Sequence, residues 1–324
     1  MKILILGGTK FFGREFALLA RRKGHDVTVF SRRAPAPDLP RAIKQIRGLR
    51  QNLSFAAGQK WDFVLDNICY LPEDMKEALR IFDGNIRHYA FVSSGDVHLA
   101  VNGAKSPFSE TAAHNLSERR GKMDAYGKGK FEAEKILIAS SLPYTIVRFP
   151  IVIGEGDPKY RLFSYLLRIW DGAPVILPDG GKYKRRFIYV KDAAEALYKV
   201  MTNRQKTARK IFHFGDKAVS LKSFIRICFK LSGARENIIS IPSVWIKARG
   251  YEVATANPYF NPFDYVLGLN NAKRILAWRH SPMKKWLKKT IGCYRLHLAA
   301  LTIPESYKNR KKEIELIKQY KRLS

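Results

Sequence analysis

The opening stretch Met1-Lys-Ile-Leu-Ile-Leu-Gly-Gly-Thr-Lys-Phe-Phe-Gly13 limits the fold more than any other part of the chain. Ile3, Leu4, Ile5 and Leu6 form a short apolar run, the pattern of a parallel strand covered on both faces. Gly7 and Gly8 follow at once, and Phe11 to Lys23 reads as a helix with Phe12, Phe16, Leu19 and Ala20 on one side. A strand, a glycine turn and a helix bring backbone N–H groups and the positive end of a helix dipole to one point, which suits a pyrophosphate. In the spacing G-x-x-G-x-x-G, Gly7 and Gly13 hold the outer places and Lys10 the middle one. A glycine there lets the backbone approach the phosphates, so Lys10 either weakens the site or adds a cation to it. The same pattern also serves as a plain strand-to-helix turn.

Gly24 closes the helix, and His25–Phe30 follows as a second strand. In a dinucleotide fold the tip of this strand meets the adenosine ribose, and an acidic residue there favours NAD. Here the tip is Ser31-Arg32-Arg33. A hydroxyl and two guanidinium groups match a 2′-phosphate, so NADP is preferred over NAD. The arginines also read as the start of the solvated, proline-rich loop Ala34–Pro40.

Further strands are expected at Ile43–Ile46, Trp61–Ile68 and His88–Ser94, with a helix at Pro72–Phe82 between the last two. Pro72, Glu73 and Asp74 suit its first turn. Asp66 and Asn67 fall at the carboxyl end of a strand, where open α/β sheets bind ligands. Alternating strands and helices predict a doubly wound parallel sheet. Beyond a polar stretch over 96–120, a helix from about Asp124 to Ser141 carries Tyr126 and Lys130. One turn apart, the two side chains share a face. An ammonium beside a phenol stabilises phenolate, and such a tyrosine exchanges a proton with a substrate hydroxyl or carbonyl near neutral pH. A serine from the preceding strand end could hold the same oxygen.

Phe91-Val-Ser-Ser-Gly-Asp-Val-His98, Tyr126-Gly-Lys-Gly-Lys130 and the opening glycine turn resemble the extended short-chain dehydrogenases/reductases, the NAD-dependent epimerase/dehydratase family. Val147–Gly154, Arg186–Ala196, Ile211–Gly215 and Ala272–Pro282 resemble that family's later motifs, the last of them in its substrate domain, in the right order. The resemblance implies an α/β fold: a Rossmann-type doubly wound parallel sheet with a smaller C-terminal substrate domain. It implies Tyr126 as acid/base, Lys130 on the nicotinamide ribose and Ser94 on the reacting oxygen, with Ser93 as substitute. Cofactor contacts are expected from Gly7, Gly8, Thr9, Lys10, Phe11, Phe12, Gly13, Ser31, Arg32, Arg33, Asn67, Ser93, Lys130, Phe149 and Val152, and substrate contacts from His98 and Arg186. Three positions depart from the family pattern. Leu49 stands about where an adenine-binding aspartate is common, His98 where many sugar-nucleotide epimerases have tyrosine, and Ile151 at the place of a phosphate-holding asparagine. The opening also resembles a branch related to chloroplast stem-loop RNA-binding proteins.

The expected domains are 1–150 with about 186–216 for the dinucleotide, about 151–185 with 217–300 for the substrate, and a basic tail at 301–324. In the tail, the stretch after Pro304 reads as a charged helix or a frayed end. Length allows this, at 324 residues. Three cysteines without C-x-x-C argue for reduced thiols and against zinc or a disulfide framework. No apolar run approaches a spanning helix and the strand starts at the first residues, so the cytoplasm is expected. A formal charge of +31 draws polyanions. The helix starting at Ser281-Pro282 sets Lys284, Lys285, Lys288 and Lys289 largely outside its apolar stripe of Met283, Trp286, Leu287 and Ile291. Such a helix lies on a membrane or docks on its own core, and the resemblance favours the core.

These readings converge on an NAD(P)-dependent epimerase/dehydratase or reductase acting on a hydroxylated small molecule, a nucleotide-linked sugar, as a homodimer. The alternative is an RNA-binding protein on a reductase-like fold that uses its basic surface. A dehydrogenase that releases a changed cofactor is the third possibility.

Overall fold

The structure is a computed structural model that describes residues 1–33, 35–99, 105–115 and 125–323. The chain divides into two compact units. The first is Met1–Val152, Ile188–Gly215 and Leu267–His280; the second is Ile153–Phe187, Asp216–Val266 and Ser281–Ser324.

The first unit is built on a parallel sheet. Its strands are β1 (Lys2–Leu6), β2 (Asp26–Ser31), β3 (Lys44–Arg47), β4 (Phe63–Asp66), β5 (Tyr89–Ser94), β6 (Tyr144–Phe149) and a seventh, Lys210–His213. Their order across the sheet is seventh–β6–β5–β4–β1–β2–β3, with every pairing parallel. This is a Rossmann-like doubly wound sheet, whose order reverses between β1 and β4, the place where such sheets bind ligands. Ile3, Leu4, Ile5 and Leu6 are fully buried because helices cover both faces. Helix α1 (Phe11–Arg22) follows β1, α2 (Pro72–Phe82) follows β4, and α3 (Ala112–Asn115) and α4 (Ala125–Ile138) precede β6. The expected start of α4 at Asp124 lies outside the described residues, as does Ala34 of the proline-rich loop.

Leu267–His280, expected in the substrate domain, belongs to the first unit. Asn271 Nδ2 donates to the Ile211 carbonyl at 2.8 Å, and Trp278 Nε1 donates to the Gly215 carbonyl at 3.0 Å. Both bonds fasten the segment beside the seventh strand.

In the second unit, Val175–Pro178 pairs in parallel with Ile238–Ile241. Helices Arg161–Trp170, Leu221–Ser232 and Met283–Leu296 bury Phe163, Phe224, Trp286, Leu287 and Tyr294. The segment expected as a basic tail is part of this core. Its helix Arg310–Leu323 buries Leu316 and Ile317, and the fully buried Arg168 and Glu313 pair at 3.0 Å. Arg310 holds Asp171 at 2.8 Å. Of the two arrangements open for the lysine helix, its apolar stripe docks on its own core.

Candidate active site

The turn from β1 into α1 is shaped by two glycines. Gly7 has φ 88°, a left-handed conformation that disfavours any side chain, and its N–H donates to the Phe30 carbonyl at 2.8 Å. A Cβ at Gly13 would lie 2.4 Å from the Gly7 oxygen and 2.6 Å from Asn67 Nδ2, so only glycine lets α1 close on the turn. Lys10 is exposed and extended, with φ −140° and ψ 155°. Its backbone needs no glycine. The strain sits one residue later, at Phe11 with φ 50°. The Phe12 ring meets that of Phe149 edge-on at 5.7 Å, tying α1 to the end of β6. Helix α1 has no acidic residue in its first turn and no side-chain cap, so its leading N–H groups face no competing carboxylate.

Ser31 is buried at the end of β2, while Arg32 and Arg33 are exposed. At the end of β4 the two acid/amide neighbours divide. Asp66 is fully buried and accepts from Arg50 at 2.7 Å and from the Tyr89 hydroxyl at 2.6 Å. It is a structural anchor. Asn67 Nδ2 donates to the Gly7 carbonyl at 3.3 Å, and its Oδ1 is buried without a protein partner.

At the end of β5, Ser94 Oγ accepts from the Asp96 N–H at 3.1 Å, while the buried Ser93 Oγ has no protein partner. Tyr126 is 41 % exposed and Lys130 is 2 % exposed. Lys130 Nζ donates to the Val92 carbonyl at 2.7 Å. It sits 4.9 Å from the ring centroids of both Tyr70 and Phe91, and 5.9 Å from that of Tyr126. Burial lowers its pKa, while Cys69, Asp66 and Glu134 pull the other way. The residue between Lys128 and Lys130 is explained here: a Cβ at Gly129 would stand 2.2 Å from the Tyr70 carbonyl oxygen. Glycine allows α4 to approach the loop after β4 and brings Tyr70 over Lys130.

Glu134, one turn beyond Lys130, faces the fully buried Arg148 of β6. Arg148 Nε donates to Glu134 at 2.8 Å, a second guanidinium nitrogen bonds the other carboxylate oxygen, and Nη1 donates to the Glu110 carbonyl at 2.8 Å. His114 Nε2 reaches Glu134 at 2.7 Å. Burial alone would raise the Glu134 carboxyl, but Arg148 and His114 outweigh it and hold the pKa below the usual carboxylate range. His98 is 1 % exposed, with Nε2 3.2 Å from His213 Nε2 and 3.4 Å from Arg148. The residue expected to meet a substrate is therefore a member of this buried network. His213 Nδ1 donates to the Gly268 carbonyl at 3.0 Å, leaving its Nε2 as acceptor.

Burial and then the Arg148 charge press His98 down to about 2 and His213 to about 3, and burial with Arg204 presses His88 to about 4. All three are neutral in the fold. Below about pH 6.5 the unfolded chain binds protons that the native histidines refuse, so stability falls as pH falls. Each histidine costs roughly 1.4 kcal/mol per pH unit between there and its native pKa. The urea midpoint is expected to drop between pH 6.5 and 5, before ordinary carboxylates titrate. An unchanged midpoint across that range would contradict the neutral assignment.

In the second unit, Arg186 donates to the Asp216 carbonyl, and burial lowers its pKa. Its neighbour Arg185, 4 % exposed, lines a tight cleft with Tyr183, Asn261 and the buried Tyr259, whose hydroxyl has no protein partner. Arg186, the expected anion contact, follows directly on Arg185. Sequence reading missed Arg50, Tyr89 and the network of Arg148, Glu134 and His213.

A family model described as NAD dependent epimerase/dehydratase family matches residues 56–215, which include Ser94, Tyr126 and Lys130. The curated chloroplast stem-loop binding protein of 41 kDa b of Arabidopsis thaliana is 26 % identical over 299 residues, covering 86 % of this chain and 75 % of that protein. The dTDP-glucose 4,6-dehydratase of Bacillus anthracis, solved with NAD, superposes with a TM-score of 0.73 at 15 % identity, covering 92 % of this chain and 98 % of the other. The UDP-glucose 4-epimerase of Thermotoga maritima, solved with UDP-glucose, gives 0.72 at 18 % identity, covering 92 % and 100 %. At these identities the two structures show the shared fold. With the family match over residues 56–215, just under half its length, the chain is similar to the NAD-dependent epimerase/dehydratase family.

Proposed function

We propose that this protein oxidises and re-reduces, or dehydrates, a nucleotide-linked sugar with Tyr126 as the acid/base and NADP as the preferred dinucleotide. The observation that carries the reading is Tyr126, half exposed, one turn from a buried Lys130 at the carboxyl end of β5. The residues present fit a dinucleotide. Gly13 lets α1 close on the glycine turn, α1 has no capping side chain, and Asn67 Oδ1 and Ser93 Oγ are buried polar atoms without protein partners.

Gly7, Gly8 and the leading N–H groups of α1 would bind the pyrophosphate, with Thr9, Lys10, Phe11 and Phe12 around it and Lys10 adding a cation. Ser31, Arg32 and Arg33 would take the 2′-phosphate. Asn67, Ser93, Phe149 and Val152 would border the dinucleotide farther along. A bound nicotinamide would supply the hydride acceptor. Lys130 holds positive charge beneath the Tyr126 phenol and favours its phenolate. Phenolate then removes the proton of a substrate hydroxyl. Ser94 accepts from Asp96, which leaves its own O–H to hold the reacting oxygen.

The test is a fluorescence titration of dinucleotide-free protein with NADPH and with NADH. NADPH is expected to bind tighter. Replacing Arg32 and Arg33 by alanine should weaken NADPH at least tenfold, since hydrogen bonds to charged groups contribute about 1.5–3 kcal/mol, with NADH little changed. Failure to bind either dinucleotide would overturn the reading.

A second reading, RNA binding, is favoured by the similarity to the Arabidopsis stem-loop binding protein and by the net charge of +31. It would show as a dissociation constant for a stem-loop RNA that rises steeply with salt, which a small substrate would not share.

A further inference from the structure

The lysine helix Met283–Leu296 buries Trp286, Leu287, Ile291 and Tyr294 and turns Lys284, Lys285, Lys288 and Lys289 outward. At about 100° per residue, Lys285, Lys289 and Leu296 fall along one line of that outer face. Gly292 lies on the same face, and a Cβ built there meets nothing within 4 Å. Leu296 is 81 % exposed, and the chain that follows exposes Leu298 at 42 % and Ile303 at 47 %. The only anion near the lysines among the described contacts is Glu155, 4.0 Å from Lys289. The feature is therefore a basic helix face followed within eight residues by a stretch of chain with three exposed aliphatic side chains.

We propose that this face docks on an anionic lipid bilayer, with the lysines at the headgroups and Leu296, Leu298 and Ile303 entering the acyl boundary. Charge complementarity alone would suit any polyanion. The aliphatic side chains decide between them. A nucleic acid gives an exposed leucine nothing to bury against, and its single strands favour aromatic platforms, whereas Trp286 and Tyr294 of this helix are both buried. Lysines beside aliphatic side chains are what an interfacial site needs. No helix among the described residues is long and apolar enough to cross a membrane. The docking is independent of the reaction assigned to Tyr126.

The full chain would be sedimented with vesicles of phosphatidylcholine alone and of phosphatidylcholine with about one-third phosphatidylserine, a strongly anionic surface. Binding is expected to the anionic vesicles only and to weaken with salt. The double variant Lys285→Gln, Lys288→Gln should lower partitioning roughly fivefold per lysine. The triple variant Leu296→Ser, Leu298→Ser, Ile303→Ser changes exposed side chains alone. It should lower vesicle binding at least tenfold and leave any affinity for a stem-loop RNA unchanged. Absence of binding to anionic vesicles would overturn the proposal, as would a serine variant that partitions like the wild type. So would RNA binding that is lost in the lysine variant while vesicles stay unbound, since that result assigns the face to nucleic acid.

Discussion

Replacing Tyr126 with phenylalanine is expected to lower kcat on the true substrate by roughly 10²–10⁴, the range that a positioned acid/base contributes, while the dinucleotide dissociation constant stays within about twofold, because the change removes no cofactor contact proposed here. The argument is one of charge and place. Lys130 is fixed by its bond to the Val92 carbonyl and by the rings of Tyr70 and Phe91, so its ammonium does not wander to solvent. A phenol beside a fixed buried cation gives up its proton more easily than one in water. Phenylalanine keeps the ring and its contact with Tyr70, whose centroid lies 6.2 Å away, and deletes only the oxygen. Lys130→Met should lose a similar factor and also shift the pH profile of kcat upward, because the phenol that remains has lost its cation. Steady-state rates on a nucleotide-sugar panel, with NADPH titration as control, make the test. A Tyr126→Phe protein that turns over at the wild-type rate would remove Tyr126 from the chemistry.

What the sequence made legible was local. The apolar run, the glycine turn and the one-turn spacing of Tyr126 and Lys130 each lie within a few residues, where helix and strand periods act directly. The strand at Trp61–Ile68 shortened to Phe63–Asp66 because Trp61 forms only an isolated bridge to Ile86. The middle position of the glycine turn reads either as a weakened site or as an added cation, yet Lys10 is extended and the left-handed residue is Phe11. Side-chain spacing carries no φ, so that exchange was invisible.

The long-range pairs were out of reach for a different reason. Arg50 and Asp66, Arg148 and Glu134, and Arg168 and Glu313 are each one unremarkable charge among many until the sheet register and helix packing set them together. A buried glutamate in a lysine-rich carboxyl-terminal stretch reads as solvated, which is why the last helix read as a tail.

The Arg148–Glu134 pair gives the second large effect. Arg148→Ala is expected to destabilise the protein by about 3–5 kcal/mol, the cost of leaving one partner of a buried ion pair uncompensated. Both side chains are fully buried, and Arg148 also carries the Glu110 carbonyl and contacts His98 and His213. Glu134 stands two turns from Tyr126 on α4, so the pair ties the helix that carries Tyr126 to β6. Removing both charges together is a different experiment. In the double variant Arg148→Met, Glu134→Leu, no ion is left buried alone, and apolar replacements of buried pairs are often neutral. The double variant should therefore be more stable than Arg148→Ala by at least about 2 kcal/mol in urea denaturation at pH 7.5, most of the penalty for the uncompensated charge. If it folds and binds NADPH but loses kcat, the pair positions α4 for chemistry as well as holding it. If Arg148→Ala unfolds within about 1 kcal/mol of the wild type, the ordinary spread of single substitutions, then the guanidinium is not the anchor of α4, and the histidine network must hold Glu134 without it.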